Sequence, residues 1–367
     1  MAIIVISGYY GAGNIGDEAI LAAMLQALAR TLPGSETVVL SRDPAATTAA
    51  HGVPALHRGP WRDLRAKMRL FRRADLLLSG GGGLLQDSYP KRFLPLSVLY
   101  YLSVCILAKL CGCKVMFYAQ GVGPLRGRLA RRLVRAAGNR ADLIAVRDGD
   151  SAALLRRLGV DRPPIHVTAD PVLAWRPGSE GDIVSRYGLG QGRPYIALAV
   201  RPWPGDEAYL ATVARLADRA AAEWQWRPVF VPFARETDLK AIARARAFMR
   251  ESASAVVLPD LTPAAAFAVI ARARMVLGAR LHAVIFAALA GTVPIGLAYD
   301  PKVSAFLAAL GFPELSCPLS TDGETIWRML ASADKRRDAI IEAMAARTAA
   351  LGEQALGNAR LAGELLP

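Results

Sequence analysis

The chain alternates short β-branched apolar runs with longer segments of helical period, and this alternation most limits the folds open to it. In the first half, strands are predicted at residues 2–7, 37–40, 76–79, 114–119, 143–146 and 166–168, with helices at 19–31, 97–110, 128–138 and 149–158. The rhythm restarts with predicted strands at 195–200, 228–232, 255–258, 275–278 and 293–296. Such alternation is typical of parallel sheets with helices on both faces.

A segment rich in glycine and proline separates the two halves. We therefore predict a Rossmann-like domain at residues 1–175, a linker at 176–194 and a second Rossmann-like domain at 195–320. The tail at 321–367 is predicted to be helical throughout, and in such architectures a final helix can cross back to the first domain. Domains of this type bind ligands at the carboxyl ends of their strands.

Composition excludes several classes of protein. Hydrophobic residues make up 53% of the 367 residues and charged residues 21%, which excludes a disordered chain. The 45 Lys and Arg against 31 Asp and Glu give a net charge of +14, which suits an anionic partner. An arginine-rich composition inherited from a GC-rich genome explains the surface arginines equally well.

The cysteines and the apolar runs indicate in which cellular compartment the protein occurs. Four cysteines without a spaced pair argue against a disulfide scaffold or a zinc site and fit a reducing environment. The first residues lack a signal-peptide pattern, and the apolar run at 96–107 is shorter than the roughly 20 residues that span a bilayer. We expect a cytoplasmic protein, either soluble or peripheral on the membrane.

The first motif is GYYGAGNIGDE at residues 8–18, between a predicted strand and a predicted helix. Its glycines match the G-x-G-x-x-G pattern of a dinucleotide site. Asp17 and Glu18, however, occupy the helix N-terminus where a pyrophosphate would bind, and they would repel it. Asn14, Asp17 and Glu18 are therefore predicted to bind sugar hydroxyls; the alternative is that both acids only cap the helix and offset its dipole.

Two further glycine-rich loops follow predicted strands. The segment SGGGGLLQD at residues 79–87 combines four consecutive glycines with Gln86 and Asp87, whose side chains can bind acceptor hydroxyls. Four glycines cost chain entropy and suit a close approach of the backbone to a ligand. The segment QGVGP at 120–124 is explained nearly as well by an ordinary turn.

Cationic side chains follow three other strands. Arg147 lies in VRD at 146–148, and Arg280 and His282 lie in the otherwise apolar GARLHA at 278–283. Lys302 follows in YDPKV at 299–303. Arginine can bind a phosphate or carboxylate with two hydrogen bonds. The alternatives are a surface contact of Arg147 with Asp148, an ordinary core histidine and an ordinary surface lysine.

Eight motifs together resemble the polysaccharide pyruvyl transferase family, and within it the branch that anchors bacterial cell-surface layers. In chain order they are GAGNIGDE at 11–18, SGGGGLLQD at 79–87, QGVGP at 120–124, VRD at 146–148, ADP at 169–171, RPW at 201–203, RLHA at 280–283 and YDPKV at 299–303. Each motif is weak alone, but eight in family order are specific. No motif matches after about residue 315.

The resemblance implies an α/β, GT-B-like fold: two Rossmann-like domains facing each other across a cleft, with the acceptor on the first and the donor on the second. It implies transfer of pyruvate from phosphoenolpyruvate to two sugar hydroxyls as a cyclic ketal, with release of phosphate. The implied acceptor is β-linked N-acetylmannosamine, ketalised at positions 4 and 6, in a lipid-linked secondary cell-wall polymer precursor. S-layer homology domains bind that ketal.

The same resemblance assigns phosphoenolpyruvate binding to Arg147, His282 and Lys302, with Arg280 beside His282. Protonated His282 is the predicted general acid, which protonates C3 of the enol. Asp17 is the predicted base for the acceptor hydroxyl, with Asp87 as the second candidate. No metal and no cofactor is expected, and HExxH, Walker A and GxSxG motifs are absent from the sequence.

Three alternatives stay open on the sequence. The nearest is a GT-B glycosyltransferase that uses a nucleotide sugar. The second is a carbohydrate-binding or scaffold protein. The clustered cations argue against it, and so does the absence of an aromatic platform for sugar stacking in the second domain. Nucleic-acid binding is not expected, because basic residues and aromatics are interleaved only at 61–73. That segment is either a membrane-contacting amphipathic helix near a lipid-linked acceptor or a solvated basic helix.

Overall fold

The computed structural model describes residues 1–59, 62–87, 96–178, 183–189 and 192–366, and the chain divides into two compact units. The first unit comprises Met1–Gly13, Asp17–Arg176 and Leu351–Pro367. The second comprises Asn14–Gly16 and Pro177–Ala350. Each unit thus includes a segment that is distant in the chain.

The first unit contains a parallel sheet of seven strands in the order β3-β2-β1-β4-β5-β6-β7. The strands are β1 Ile3–Ser7, β2 Glu36–Ser41, β3 Ala55–His57, β4 Leu76–Gly80, β5 Lys114–Gln120, β6 Leu143–Val146 and β7 Ile165–Val167. The connecting helices are α1 Ile15–Thr31, α2 Pro44–His51, α3 Leu64–Arg73, α4 Leu96–Leu110, α5 Arg128–Gly138 and α6 Gly149–Arg157.

The second unit repeats this plan with six parallel strands in the order β10-β9-β8-β11-β12-β13. The strands are β8 Tyr195–Ala199, β9 Arg227–Phe230, β10 Val256–Val257, β11 Met275–Gly278, β12 Val293–Ala298 and β13 Ser316–Pro318. The helices are α7 Ile183–Arg186, α8 Glu207–Glu223, α9 Arg235–Ala247, α10 Pro263–Ala271, α11 Leu281–Ala290, α12 Pro301–Ala309, α13 Gly323–Lys335 and α14 Arg337–Gly363.

The central strands form because their side chains are buried on both faces. All five residues of β4 and all five of β8 are buried, as expected for strands covered by helices on both sides. In the first unit Val5, Leu77 and Phe117 pack in one core with residues of α4 and α5. Both strand orders reverse direction next to their first strand, which is where Rossmann-like sheets bind ligands.

Several segments differ from the sequence-based expectations. Strands β3 and β13 were not anticipated, and the helical tail is interrupted at Arg336, between α13 and α14. The chain passes from the first unit to the second at Arg176, and Ile183 and Val184 of α7 are buried within the segment expected to be a linker. From Leu351 onward the tail belongs to the first unit.

Helix α3 places its apolar side chains inside the first unit. Phe71 is fully buried and Lys67 is nearly so, whereas Arg65, Arg69 and Arg72 are exposed. The described part of this segment is therefore a helix with a solvated basic face, and its contact with a membrane stays a prediction; Trp61 lies outside the described residues. Among the described helices, none combines the length and the apolar character needed to cross a bilayer.

Candidate functional site

Every motif singled out in the first unit lies at one edge of its sheet. The glycine loop follows β1, the four-glycine segment follows β4, and Gln120, Arg147 and Asp170 follow at the ends of β5, β6 and β7. Ser7 of β1 pairs with Ser79 of β4, so the first two loops leave the sheet side by side. A parallel sheet brings the carboxyl ends of its strands to one edge, which explains the grouping.

Glu18 closes the first glycine loop on itself. Its Oε1 accepts a hydrogen bond of 2.8 Å from the backbone amide of Gly11, which has a φ of 68°. Asn14 acts in a similar way, since its Oδ1 accepts from the Gly16 amide at 3.0 Å, at the start of α1. Both side chains shape the loop, whereas binding of acceptor hydroxyls by either one stays a prediction.

Asp17 lies against the four-glycine segment. A Cβ atom at Gly82 would come within 3.1 Å of Asp17 Oδ1, so the missing side chain leaves room for this carboxylate. At Gly81, which has a φ of 86°, a Cβ would lie 2.3 Å from Ile20. The buried Tyr10 hydroxyl donates to the Gly80 carbonyl at 2.9 Å and ties the two loops together. The glycines therefore serve close packing of Asp17 and α1 against β4.

Asp87 has a local structural partner. Its two carboxylate oxygens accept hydrogen bonds from the backbone amides of Arg126, at 2.7 Å, and Gly127, at 2.6 Å. These amides precede α5, so the carboxylate caps that helix from outside its own sequence. Gln86 lies beside Gly83. Both Asp87 oxygens are thus engaged in this cap, and the role of Asp17 or Asp87 as the base stays a prediction.

Arg147 is buried and paired. Its Nη1 lies 2.8 Å from Oδ2 of Asp170, and the two side chains are only 7% and 5% exposed. Asp148 is farther away, at 3.9 Å from Nε, and it also caps α6 by accepting from the Ser151 amide. A Cβ at Gly121 would lie 2.9 Å from Arg147 Nε. The glycine of QGVGP therefore makes space for this guanidinium, and Asp170 orients it.

In the second unit, Arg280 forms a buried ion pair. Its Nε lies 3.0 Å from Oδ2 of Asp238, and its Nη2 contacts Oδ1 of the same carboxylate. Asp238 is fully buried and also accepts from the backbone amides of Phe233 and Ala234. The fork-shaped contact fixes the orientation of Arg280 at the end of β11. Nothing in the sequence marked Asp238 as its partner.

Arg201, which follows β8, lies with Lys302 around one aromatic ring. The Arg201 guanidinium is 3.9 Å from the centroid of Tyr299, and Lys302 Nζ is 5.2 Å from it. Trp203 completes the group with a ring centroid 5.2 Å from that of Tyr299. The second half thus does contain an aromatic pair, contrary to the sequence-based argument. Because cations lie over the Tyr299 ring, this group of side chains is better suited to bind an anion than to stack against a sugar.

The charge of Arg201 is not matched by an acid. Lys302 has Asp300 at 3.7 Å and Arg280 has Asp238, but Arg201 forms no ion pair within the described residues. Its Nε is buried without a hydrogen-bond partner. Burial lowers the pKa of Arg201 and the positive charge of Arg280 adds to the decrease, whereas Tyr299 and Asp238 oppose it. A buried cation without a counter-ion is costly, so an anionic ligand would stabilise this group.

His282 lies in the first turn of α11, directly after Arg280 and Leu281. A Cβ at Gly16 would lie 2.2 Å from His282 Nδ1, so only a glycine allows the present ring position. Gly16 belongs to the second unit together with Asn14, which forms a bridge with Ala234. The RPW and RLHA motifs and the NIG of the first motif therefore meet in one unit. Among the described residues, no group of three or more metal-ligating side chains occurs.

Comparison with known families gives a direct result. The sequence profile of the polysaccharide pyruvyl transferase family matches residues 14–301, which is most of the chain. This chain is a polysaccharide pyruvyl transferase family member. The match spans all eight motifs except the first three residues of GAGNIGDE and the last two of YDPKV. The predicted family is thus confirmed, and the cell-surface-anchoring branch stays a prediction. No curated protein matches the chain.

Solved structures show the fold of this family member. Anabaena Alr3699/HepE with UDP-glucose has a TM-score of 0.67 at 12% identity, with 99% of both chains covered. S. aureus MnaA with UDP has a TM-score of 0.64 at 12% identity, covering 94% of this chain and 91% of that one. UDP-GlcNAc 2-epimerase from Neisseria meningitidis has a TM-score of 0.64 at 11% identity and 94% coverage of both. The predicted GT-B-like class, with two Rossmann-like units, is confirmed.

Proposed function

We propose that this pyruvyltransferase takes pyruvate from phosphoenolpyruvate and attaches it as a cyclic ketal to two hydroxyls of a sugar. The proposed acceptor is β-linked N-acetylmannosamine, ketalised at positions 4 and 6, in a lipid-linked precursor of a secondary cell-wall polymer. Family membership supports the reaction class. The donor is our assignment from the cationic residues together with the family resemblance, and the acceptor is our assignment from that resemblance.

The uncompensated charge of Arg201 carries the donor assignment. Phosphoenolpyruvate holds a phosphate and a carboxylate close together, and it needs several cations at fixed positions. Arg201, Arg280 and Lys302 supply three at neighbouring strand ends, against the two acids Asp238 and Asp300. A trianion therefore fits this group better than a neutral ligand does. Arg147, which is paired with Asp170, stays a predicted phosphoenolpyruvate ligand.

The reaction balances without a further reactant. A proton adds to C3 of the enol, and the resulting cation at C2 is attacked by one sugar hydroxyl. The C2–O bond to phosphate then breaks, and a second hydroxyl forms the second C–O bond of the ketal. The two hydroxyls lose two protons, of which one replaces the proton used at C3 and the other leaves with phosphate.

His282 is the proposed acid at C3, and Asp17 the proposed base for the attacking hydroxyl. An imidazole is suited to proton transfer near neutral pH. Its ring is held against the Gly16 backbone, and Asp17 is held beside Gly82. Asp17 is the next residue after Gly16 in the chain, so one turn of α1 carries both the base and the contact that orients the acid.

Replacing His282 tests the proposal. We expect His282→Ala to lower phosphate release from phosphoenolpyruvate by about 10²–10⁴-fold, which is the usual contribution of a general acid. The measurement is phosphate release with a β-linked N-acetylmannosamine acceptor, followed by mass analysis for an added pyruvyl group. His166→Ala is the matched control, because His166 is an exposed histidine on β7.

Near-normal turnover by His282→Ala, with the thermal unfolding midpoint unchanged, would remove His282 from the acid role. Wild-type protein that releases no phosphate with any amino-sugar acceptor would overturn the donor assignment itself. His166→Ala should keep both the turnover and the thermal midpoint of the wild type.

A nucleotide-sugar glycosyltransferase is the second candidate, because the structures of similar fold are described with UDP or UDP-sugars. Thermal unfolding in the presence of UDP or of phosphoenolpyruvate separates the two candidates. Our proposal predicts a higher midpoint with phosphoenolpyruvate and no change with UDP, since a ligand stabilises only the protein that binds it. The opposite pattern would favour the glycosyltransferase.

A further inference from the structure

Arg58 lies in an aromatic cluster that the proposed chemistry has not used. It directly follows β3 in the first unit, at the same sheet edge as the glycine loops. Its guanidinium carbon is 5.2, 4.7 and 5.3 Å from the ring centroids of Tyr9, Tyr100 and Tyr101. Tyr9 is 40% exposed and Tyr101 is buried. The cluster therefore has an open side formed by Tyr9.

The cluster lacks an acid. Within the described residues Arg58 is half-buried and forms no ion pair with a carboxylate. The hydroxyls of Tyr100 and Tyr101 lie next to the guanidinium: burial raises their pKa, and the charge and hydrogen bonds of Arg58 oppose the increase. Removing a guanidinium from water without a counter-ion is unfavourable, and aromatic rings compensate only part of that cost.

Other cations surround Arg58 rather than acids. Lys67 is buried and donates from Nζ to the Gly59 carbonyl, next to Arg58 in the chain. Burial lowers the pKa of His57, and the charges of Arg62, Lys67 and Arg58 lower it further, whereas Asp63 opposes the decrease. The end of β3 is thus a region of positive potential, which attracts an oxyanion.

The cluster lies within electrostatic range of the proposed base. Burial raises the pKa of Tyr101, and the negative charge of Asp17 raises it further, whereas Arg58 opposes the increase. Tyr101 is thus influenced by both charged groups. Tyr9 lies in the loop between β1 and α1, and Asp17 lies in the first turn of α1. An acceptor whose hydroxyl meets Asp17 therefore has its remaining groups near Arg58.

We infer that Arg58 binds a phosphate group carried by the acceptor sugar, with Tyr9 as the exposed wall of the subsite. The inference rests on the proposed function, because Asp17 as the base is what orients the acceptor. A guanidinium presents paired donors that match the oxygens of a phosphate ester, and a tyrosine ring packs against the face of a sugar. The acceptor is then an anionic sugar rather than a neutral one.

Calorimetric titration of the full chain tests the inference. The probes are a β-linked N-acetylmannosamine disaccharide as its 1-phosphate, the same disaccharide as its methyl glycoside, and inorganic phosphate. We expect the wild type to bind the sugar phosphate about tenfold more tightly than the methyl glycoside, and Arg58→Gln to lose that difference. Arg132→Gln, which removes an exposed charge from α5 in the same unit, should retain it.

Three results would overturn the inference: no preference in the wild type, a preference that survives Arg58→Gln, or equal affinity for inorganic phosphate and the sugar phosphate. A raised KM for phosphoenolpyruvate in Arg58→Gln, with unchanged acceptor affinity, would assign Arg58 to the donor instead. If Arg58→Gln does not fold, Arg58→Lys tests the inference instead, because lysine keeps the positive charge but lacks the paired N–H donors of the guanidinium. The preference must then fall at least about threefold.

Phosphate release from phosphoenolpyruvate with the methyl glycoside separates this inference from the proposed function. Turnover with the methyl glycoside but no phosphate preference leaves the function intact and removes the subsite. A phosphate preference that depends on Arg58, without any turnover on either disaccharide, leaves the subsite intact and removes the function.

Discussion

Two glycines in this protein are required because their missing Cβ atoms leave room for a neighbouring side chain. Gly121 leaves room for the Arg147 guanidinium, and Gly16 leaves room for the His282 ring. Neither glycine has a positive φ, so the backbone conformation alone would allow an alanine at both positions. An alanine within a helix is normally more stable than glycine by roughly 0.5–1 kcal/mol. The glycine at position 16 therefore serves the position of His282 rather than the stability of α1.

Gly16→Ala should lower kcat/KM by about a hundredfold, because a catalytic group displaced by about 1 Å loses activity on that scale. The added Cβ would lie 2.2 Å from Nδ1, so the ring must move. Gly357→Ala in α14 is the matched control, since no atom lies within 4 Å of its Cβ. Steady-state kinetics and thermal unfolding measure both variants. Equal activity of the two would contradict a positioning role for Gly16.

At the scale of elements, helix starts are tied to loops that come from other strands. Helix α5 begins after Gly127 with no cap from its own sequence, and Asp87, which follows β4, accepts from the Arg126 and Gly127 amides instead. In α9, by contrast, Asp238 accepts from the Phe233 and Ala234 amides directly before its own helix, and it also holds Arg280 at the end of β11. Each carboxylate thus connects neighbouring segments within its own unit.

Asp87→Ala should lower the free energy of unfolding by about 1–2 kcal/mol, the usual cost of a lost helix cap. The two amides lose acceptors at 2.7 and 2.6 Å. Urea denaturation measures the change. Asp87→Asn should lose less stability, because its remaining side-chain oxygen can still accept a hydrogen bond from one of the two amides. Asp17→Asn is expected to abolish turnover without this loss of stability. A drop in turnover for Asp87→Ala at unchanged stability would instead return Asp87 to a role in acceptor chemistry.

At the scale of the whole molecule, each unit is completed by chain that is distant in sequence. Residues 351–367 belong to the first unit, where the Gly352 helix backbone lies so close to the Leu173 carbonyl that a Cβ would be 2.9 Å from it. Asn358 is fully buried there. Its Oδ1 accepts from Thr168 at 2.8 Å, and its Nδ2 donates to the Ala169 carbonyl at 3.2 Å. The tail thereby supports the segment that carries Asp170.

Asn358→Ala should lower the free energy of unfolding by about 1–3 kcal/mol, because it leaves the buried Ala169 carbonyl without its Asn358 donor. Thermal or urea unfolding measures the loss. Gln354→Ala is the control, since Gln354 is an exposed residue one turn earlier on α14. If both variants unfold at the same denaturant concentration as the wild type, the tail contributes nothing to the first unit through this contact.

Most strands could be predicted because buried parallel strands read as unbroken apolar runs. Strands β6 and β11 have the predicted bounds, and β4 and β5 differ by one residue at their ends. The edge strands β3 and β13 were missed because their sequences, ALH and SCP, contain no β-branched residue, whereas the equally short edge strand β7, IHV, contains two. A run that short carries no periodic signal.

The amino-acid sequence by itself determined the class of fold, the strand-end positions of the motifs and the family, because these depend on local pattern and motif order. Only the tertiary structure decided which charged side chains form ion pairs. Asp170 and Asp238 pair with Arg147 and Arg280 over 23 and 42 residues, whereas Arg58 and Arg201 form no ion pair within the described residues. An ion pair depends on distance in space, which packing sets and spacing along the chain does not.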